Sequence, residues 1–489
     1  MIYPHHRQTD KGRRRPPLSA AAILLVNPNR MRPPVGPLGL ELIADALDRR
    51  QIPCRVLDLA FERRPRAALD QALSLRPPIV AFSVRNLDDC YYASQKFLLP
   101  PFRAYVRSAR AAGAKTVAGG VGFSVAPTAA LSYLGADYGL RGDGEESLPL
   151  LVECLAAGAG LEGVPGLVTP GGPDPAPALA DLSSPEPPTR RWFDWERYFR
   201  MGGQAGIETQ RGCDRGCIYC AEAVAKGRGR RRRPAEAVAE EVESLVRRGV
   251  HTLHLCDPEW NLSREHVEAV CRALIRRGLG AKLRFYAYAL PAPLDRELAR
   301  LMARAGCVGI DFGADSADDG MLARLGRDYD AGALETAADA CRAAGIVFMF
   351  DLLLGGPGET RASLKRTIGR MKKLKPDRVG VSFGVRLFAG TRLEGMLREA
   401  GPLEENPSLH GAVERNPGLI RPVFFVEAGL GAEPEQYLHG LIGEDRRFLF
   451  ASREDLRRNY NYNNNAPLCR EIRRGARGAF WDILRRMEG

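Results

Sequence analysis

Three of the eleven cysteines stand close together, in the stretch Arg211-Gly212-Cys213-Asp214-Arg215-Gly216-Cys217-Ile218-Tyr219-Cys220. Their spacing lets the thiolates of Cys213, Cys217 and Cys220 converge on one side of a short loop. Soft thiolates select zinc or iron–sulfur clusters. A structural zinc normally takes four Cys or His ligands, and no fourth stands nearby with paired spacing. Three thiolates suit a 4Fe–4S cluster that keeps one iron open. The plainer readings are three packed thiols or a zinc site. The other eight cysteines stand alone, several in apolar stretches where a reduced thiol acts as a small hydrophobe. Such a thin scatter is not a secreted disulfide framework.

The elements that must position this loop alternate in type. Candidate strands at 206–210, 251–257, 282–288, 308–312, 347–354 and 378–385 are separated by helical patterns at 234–248, 264–277, 295–305, 331–344 and 361–374. Six strands alternating with helices predict a (β/α)6 partial TIM barrel, with chemistry at the C-terminal ends of its strands. The cysteines follow the first of them directly. Ahead of the barrel, short apolar runs at 21–26, 55–59, 79–84, 115–118 and 136–140 alternate with helical stretches at 38–47, 90–112 and 146–157. This is the pattern of a doubly wound parallel sheet, and the whole chain reads as α/β. Five segments result. They are a basic extension (1–17), a first domain (18–161), a Pro-rich linker (162–200), the barrel (201–395) and a small, mostly helical C-terminal region (396–489). The last carries the unusual run Asn459-Tyr460-Asn461-Tyr462-Asn463-Asn464-Asn465 and a closing helix at 478–487, fit to cap the barrel or help enclose a substrate.

Composition narrows the classes further. At 489 residues the chain exceeds what one core usually serves, so several domains are expected. The formal charge of +12 invites a nucleic-acid reading, but 62 of the 71 basic residues are arginine, a skew that looks like genome-wide codon bias. Nucleic acid is therefore not expected as a partner, although arginines cluster at 13–15 and 228–233. No apolar run approaches the length of a membrane span, and the polar N-terminus has no signal-peptide core. A cytoplasmic location is expected.

The spacing Cys-x3-Cys-x2-Cys after the first strand of a (β/α) barrel resembles the radical S-adenosylmethionine (SAM) enzymes. Several later segments look similar to the same family. Asp257-Pro258-Glu259-Trp260-Asn261 ends the second strand, although the common Gly-Gly-Glu is missing there. Phe285-Tyr286-Ala287-Tyr288 ends the third, and Gly309-Ile310-Asp311-Phe312-Gly313-Ala314-Asp315-Ser316 resembles the fourth-strand region. Gly355-Gly356-Pro357-Gly358-Glu359-Thr360 resembles the turn after the fifth. The resemblance implies that Cys213, Cys217 and Cys220 hold a 4Fe–4S cluster whose open iron is chelated by SAM. It implies further that Tyr219 lies against the adenine. Glu259, Asn261, Tyr288, Asp311, Gly313 and Asp315 are the other implied SAM contacts. Helix capping by Glu259 or Asn261 and core packing by the tyrosines are competing accounts.

The first domain resembles the cobalamin-binding domain of one branch of that family. The matching loops are Pro33-Pro34-Val35-Gly36-Pro37-Leu38-Gly39, Phe82-Ser83-Val84-Arg85-Asn86, Gly119-Gly120-Val121 and Gly142-Asp143-Gly144-Glu145, each after a strand end. Pro34, Ser83, Arg85, Asn86, Gly119, Gly120, Val121, Gly142, Gly144 and Glu145 are the implied cobalamin contacts. Small residues there would let a large planar cofactor approach the backbone. No Asp-x-His-x-x-Gly occurs, so cobalt would receive no imidazole from that motif, and its lower face would lie near Arg85, Asn86 or a water.

Together these resemblances imply a cobalamin-dependent radical SAM enzyme with three cofactors: a 4Fe–4S cluster, SAM and cobalamin. The implied reaction is C-methylation of a small-molecule or natural-product precursor, through a substrate radical and methylcobalamin. An external one-electron reductant of flavodoxin or ferredoxin type is the implied partner. The alternative keeps the cofactors but forms rings, rearranges or does redox chemistry without methyl transfer.

Overall fold

The computed structural model describes residues 22–450 and 463–487. The basic extension, and residues 459–462 of the Asn/Tyr-rich run, lie outside the described residues. The first sheet contains β1 (Ile23–Asn27), β2 (Cys54–Asp58), β3 (Ile79–Ser83), β4 (Lys115–Gly119), β5 (Tyr138–Leu140) and β6 (Leu167–Val168), in the order β2-β1-β3-β4-β5-β6. All pairs are parallel except β5–β6. β1 is buried along its whole length because helices cover both faces of the sheet, so its sequence Ile-Leu-Leu-Val needs no polar side. Ile23 and Leu25 pack on one face with the helix Leu38–Arg49, while Leu24 and Val26 pack on the other with Phe82, Phe123 and Leu131.

The helix predicted at 90–112 is shorter. It begins at Pro100 and ends at Ala111. Pro100 and Pro101 have no N–H to donate to a preceding turn, so they are acceptable only in a first turn, and the helix starts there. Residues 88–97 form an irregular loop closed by an Asp88–Phe97 bridge. Buried Asp88 accepts hydrogen bonds from Arg386 Nε and Nη2 at 2.9 and 2.8 Å, which fastens this loop to the second half of the molecule.

The Pro-rich segment closes around the edge of the first sheet. It contributes β6, and Ala178 exchanges backbone hydrogen bonds with Arg141 and Asp143. Farther on, Arg190 is fully buried, donates to Glu241 Oε1 at 2.6 Å and to the Gly206 carbonyl at 2.8 Å, and covers the Trp195 ring.

The barrel strands are β7 (Ala205–Ile207), β10 (Thr252–Leu255), β11 (Arg284–Ala289), β12 (Cys307–Asp315), β13 (Val347–Leu354) and β14 (Arg378–Phe383). Between β7 and β10 a small hairpin pairs β8 (Gln210–Arg211) with β9 (Arg231–Arg232). The six predicted strands form one parallel sheet, extended by a seventh, β18 (Phe448–Phe450), drawn from the C-terminal region. Three residues are too few for a readable period, so β18 has no signal in the sequence. The same region also supplies strands to a three-stranded antiparallel sheet of β15 (Val385–Arg386), β16 (Leu409–Gly411) and β17 (Val423–Phe425). Leu387, Leu393 and Phe425 there pack against Ile218 of the cysteine loop. The last helix, Phe480–Met487, stoppers the barrel. Its Trp481 packs on Tyr286 and Met349, and Asp482 Oδ2 accepts from the Tyr286 hydroxyl at 2.7 Å. Tyr286 is thus core, while Tyr288, two residues nearer the C-terminal mouth, is 37% exposed.

Candidate cofactor and substrate site

The cysteines lie in the loop of the β8–β9 hairpin, and both ends of that loop are anchored. Just before it, Asp257 accepts from the backbone N–H of Thr209 at 2.7 Å and of Gln210 at 3.2 Å. Within it, the Ile218 N–H donates to the Leu325 carbonyl, and the Ile218 carbonyl accepts from Leu393 N–H. The result is a hollow of about 170 Å³ lined by Cys213, Cys217 and Cys220, with Arg215, Arg228 and Arg392 along it. Burial pushes the Cys217 thiol up to about 11 and the Cys220 thiol to about 12. Binding a metal cluster here must therefore displace protons. Among the described residues no three His, Cys, Asp or Glu side chains crowd around a point fit for a single metal ion. A cubane asks for something else, since its three thiolates sit on three different irons. Three thiols spread around a shared hollow fit that group.

Above the hollow, side chains from β12 and the loop after it form a connected polar network. The Tyr219 hydroxyl donates to Asp315 Oδ2 at 2.6 Å, and Arg327 Nε donates to the same oxygen at 2.6 Å. Arg327 Nη2 donates to the Tyr219 oxygen at 2.8 Å, and Nη1 stands 4.0 Å from Glu259 Oε1. Tyr329 donates to the Gly313 carbonyl at 2.9 Å. Glu259 Oε2 and Asp311 Oδ1 are buried without a hydrogen-bond partner among the described residues. Burial raises the Glu259 carboxyl to about 8, and burial with nearby Asp351 and Glu259 raises Asp311 well above the carboxylate range. Unpartnered buried oxygens of this kind fit a ligand that brings an ammonium or hydroxyl donors, as SAM does. Asn261 is placed otherwise. Its amide donates to the carbonyls of Leu290 and Pro293 and accepts from Leu290 N–H, so it braces the turn after β11. Tyr288 lies lower, edge-on to His254 with ring centroids 4.9 Å apart.

The second cavity, about 340 Å³, lies over the C-terminal ends of the first sheet. Its wall includes Val35–Gly39, Ser83, Arg85, Gly119, Gly120, Val121, Gly142, Gly144 and Glu145. From the barrel side come Glu208, Arg211, Lys226 and Cys256. Cys256 lies deep in the protein yet is reached by solvent through this cavity. Pro34 is buried beside the wall, where its carbonyl faces Gly202. Asn86 accepts weakly from Arg85 Nη1 at 3.4 Å, and its backbone packs on Gly122. The two most demanding glycines answer to protein rather than to a ligand. At Gly120 (φ +101°) a Cβ would stand 2.6 Å from the Val84 carbonyl, and at Gly142 (φ +92°) 2.3 Å from the Ala178 carbonyl. The backbone must cross closely there, and the smooth wall follows from that crossing.

Between hollow and cavity runs a buried charged partition. Arg211 sends each guanidinium nitrogen to a different carboxylate: Nε to Glu208 at 2.6 Å, Nη1 to Asp143 at 3.1 Å and Nη2 to Glu145 at 2.7 Å. Arg231 also pairs with Asp143. Burial works against the Asp143 carboxylate, but Arg211 and Arg231 outweigh it and hold the group below its usual range. Arg211 and Asp143 stand within the cysteine stretch and the loop after β5, but nothing in those motifs pairs them, and Arg327 and His254 carry no motif. Only an arginine placed against a cofactor loop, or a histidine at a strand end facing the barrel, hints at them in sequence.

Comparison with known proteins agrees with this geometry. Residues 207–371 match the radical SAM superfamily, and residues 30–152 match the B12 binding domain. The chain is 32% identical over 450 residues to tryptophan 2-C-methyltransferase of Streptomyces laurentii, covering 78% of this chain and 75% of that one. It is 26% identical over 322 residues to hopanoid C-3 methylase of Methylococcus capsulatus, covering 65% and 60%. Among solved structures, the radical SAM methyltransferase TsrM of Kitasatospora setae, with tryptophan substrate and the SAM analog aza-SAM bound, superposes with a TM-score of 0.88. The identity is 28%, covering 95% of this chain and 97% of that one. The same enzyme with cobalamin and a [4Fe-4S] cluster bound gives 0.86. The two domain matches, the relatives and the overall fold agree on an enzyme using a 4Fe–4S cluster, SAM and cobalamin, and the chain belongs to the cobalamin-dependent radical SAM C-methyltransferases.

Proposed function

We propose that this enzyme methylates a carbon of an indole-bearing small molecule of the tryptophan class. The similarity to tryptophan 2-C-methyltransferase supports the class. The observation that carries the reading is the continuity of the larger cavity with the barrel mouth. Cys256 and Glu208, just beyond β10 and β7, share one wall with Gly119, Gly120 and Gly144. A methyl donor in the first domain and a substrate in the barrel would then meet in one space.

When bound, the cluster, SAM and cobalamin supply the methyl group and the electrons for its transfer; the chain holds and orients. In this reading residues 18–161 hold cobalamin, residues 201–395 hold cluster and SAM, and residues 396–489 complete the enclosure. Cys213, Cys217 and Cys220 ligate the cluster. Glu259 and Asp311 receive the SAM amino group and ribose hydroxyls, while Asp315 and Arg327 hold Tyr219 beside them. His254 faces the substrate. Burial, with Arg85 nearby, lowers its pKa to about 4, so the ring is neutral at pH 7. Its Nδ1 has no partner among the described residues, and in this reading it accepts the N–H of the indole. Tyr288 supplies an aromatic edge to the same pocket. No described helix is long and apolar enough to cross a membrane, and all eleven cysteines are free. A reducing cytoplasm, with a flavodoxin or ferredoxin as electron donor, suits this chemistry.

The test is anaerobic incubation of the fully loaded enzyme with SAM, a chemical reductant and tryptophan or simple indoles, followed by mass spectrometry. A product with one added methyl, together with S-adenosylhomocysteine, is expected. The accompanying amount of 5′-deoxyadenosine reports whether a substrate radical is used. Formation of 5′-deoxyadenosine with no methylated product from any indole overturns the reading.

A further inference from the structure

The Arg211 partition has a geometry that neither cofactor site needs for itself. Arg211 ends β8, two residues before Cys213, so its backbone leads directly into the cysteine loop. Two of its three carboxylate partners, Asp143 and Glu145, belong to the loop after β5 that walls the cobalamin cavity. The other strand of the same hairpin reaches that loop as well, through Arg231 to Asp143, and Arg231 also donates to the Ala180 carbonyl of the Pro-rich segment. Arg211, Asp143 and Glu208 are each more than nine-tenths buried. Removing one partner from such a pair strands a charge in a poorly solvated place. The two loops are thus joined through buried ion pairs.

We propose that Arg211 is a positioning residue that couples the two cofactor sites, so that assembly of the cluster tightens cobalamin binding and bound cobalamin retains the cluster. Ordering the cysteine loop around its cluster fixes Arg211. Arg211 then fixes Asp143 and Glu145 at the cavity wall. Reciprocity is required, because a coupling free energy acts equally in both directions. The proposal rests on the assignment of both cofactors and goes beyond it.

Equilibrium dialysis with hydroxocobalamin provides the test, run on enzyme reconstituted with iron and sulfide and on enzyme left without them. The wild type is expected to bind about tenfold more tightly when the cluster is present. In Arg211→Met the two affinities converge to within about twofold, whereas Arg211→Lys, a point charge in place of a fork, keeps part of the difference. The reverse measurement follows iron loss to a chelator. Hydroxocobalamin slows it in the wild type and not in Arg211→Met. Should Arg211→Met fail to fold by circular dichroism, Glu145→Gln, which frees one arm from the cavity loop, is read in the same way and must shrink the ratio. Equal affinities in the wild type, or a wild-type ratio in the folded variant, overturn the proposal. Iron and corrinoid contents are measured alongside, so a fully loaded but uncoupled enzyme refutes the coupling and leaves methyl transfer standing.

Discussion

The cysteine loop and the cavity proposed for cobalamin face each other across Arg211, yet they are built by different means. The loop works through side chains. Three thiols from eight consecutive residues line one hollow, and Tyr219 within the same stretch hydrogen-bonds to Asp315. The cavity works through backbone. On the first-domain side its wall comes from loops after four separate strands, and Gly120 and Gly142 there are demanded by chain crossings at Val84 and Ala178. Chemistry supplied by side chains concentrates in few residues and tolerates no change of type. A shape made by backbone is spread over many residues, and fails when a crossing is blocked. The contrast predicts where each site breaks.

The largest effect is expected on the side-chain site. Replacing Cys213, Cys217 and Cys220 together by Ala should remove all bound iron and abolish product, while corrinoid binding persists at the weaker affinity of the cluster-free protein. Iron and corrinoid analysis of the purified variant checks both halves. Next comes the backbone site. In Gly120→Val the side chain must enter the space of the Val84 carbonyl at a positive φ, a strain of about 1–3 kcal/mol before the clash is counted. Corrinoid binding should fail while the reconstituted cluster, read by its absorbance, remains. A collapse of both would erase the distinction between the two sites.

A smaller loss is expected from Arg327→Met, which takes two charge-assisted hydrogen bonds from Asp315 and Tyr219. Such bonds contribute about 1.5–3 kcal/mol each when buried. The KM for SAM should rise roughly tenfold or more, with corrinoid affinity unchanged, as initial-rate kinetics and dialysis will show. The smallest effect concerns Asp257, which anchors Thr209 and Gln210 below the loop. Burial raises its pKa from 3.8 to about 7. Between those values the folded protein holds a proton that the unfolded chain has released, so stability falls as pH rises through this window and levels off above it. Asp257→Asn should flatten this part of the melting-temperature profile of the cofactor-free protein.

The same contrast explains what was legible before folding was known. The cysteine triad, the alternation of strands and helices and the order of the two domains are written in residue type and local period, and all are read without tertiary contacts. The helix expected at 90–112 begins instead at Pro100 because two prolines and the Asp88–Arg386 pair, 298 residues apart in sequence, hold the loop before it. Asn261 stands within a strand-end motif suited to SAM, but its amide is taken by the turn at Leu290 and Pro293. That competition depends on a loop about thirty residues away and leaves no mark on the motif.

By itself, then, the sequence determined the class of chemistry, because thiolate spacing and strand–helix alternation act within a few neighbouring residues. Tertiary structure alone decided the rest. It chose which buried carboxylates at the barrel mouth stay unpartnered, drew β18 and the closing helix into the barrel, and brought Arg211 between the two cofactor loops. The reason is physical: burial and pairing of charge depend on chain segments distant in sequence, and only packing brings them within a hydrogen bond of each other.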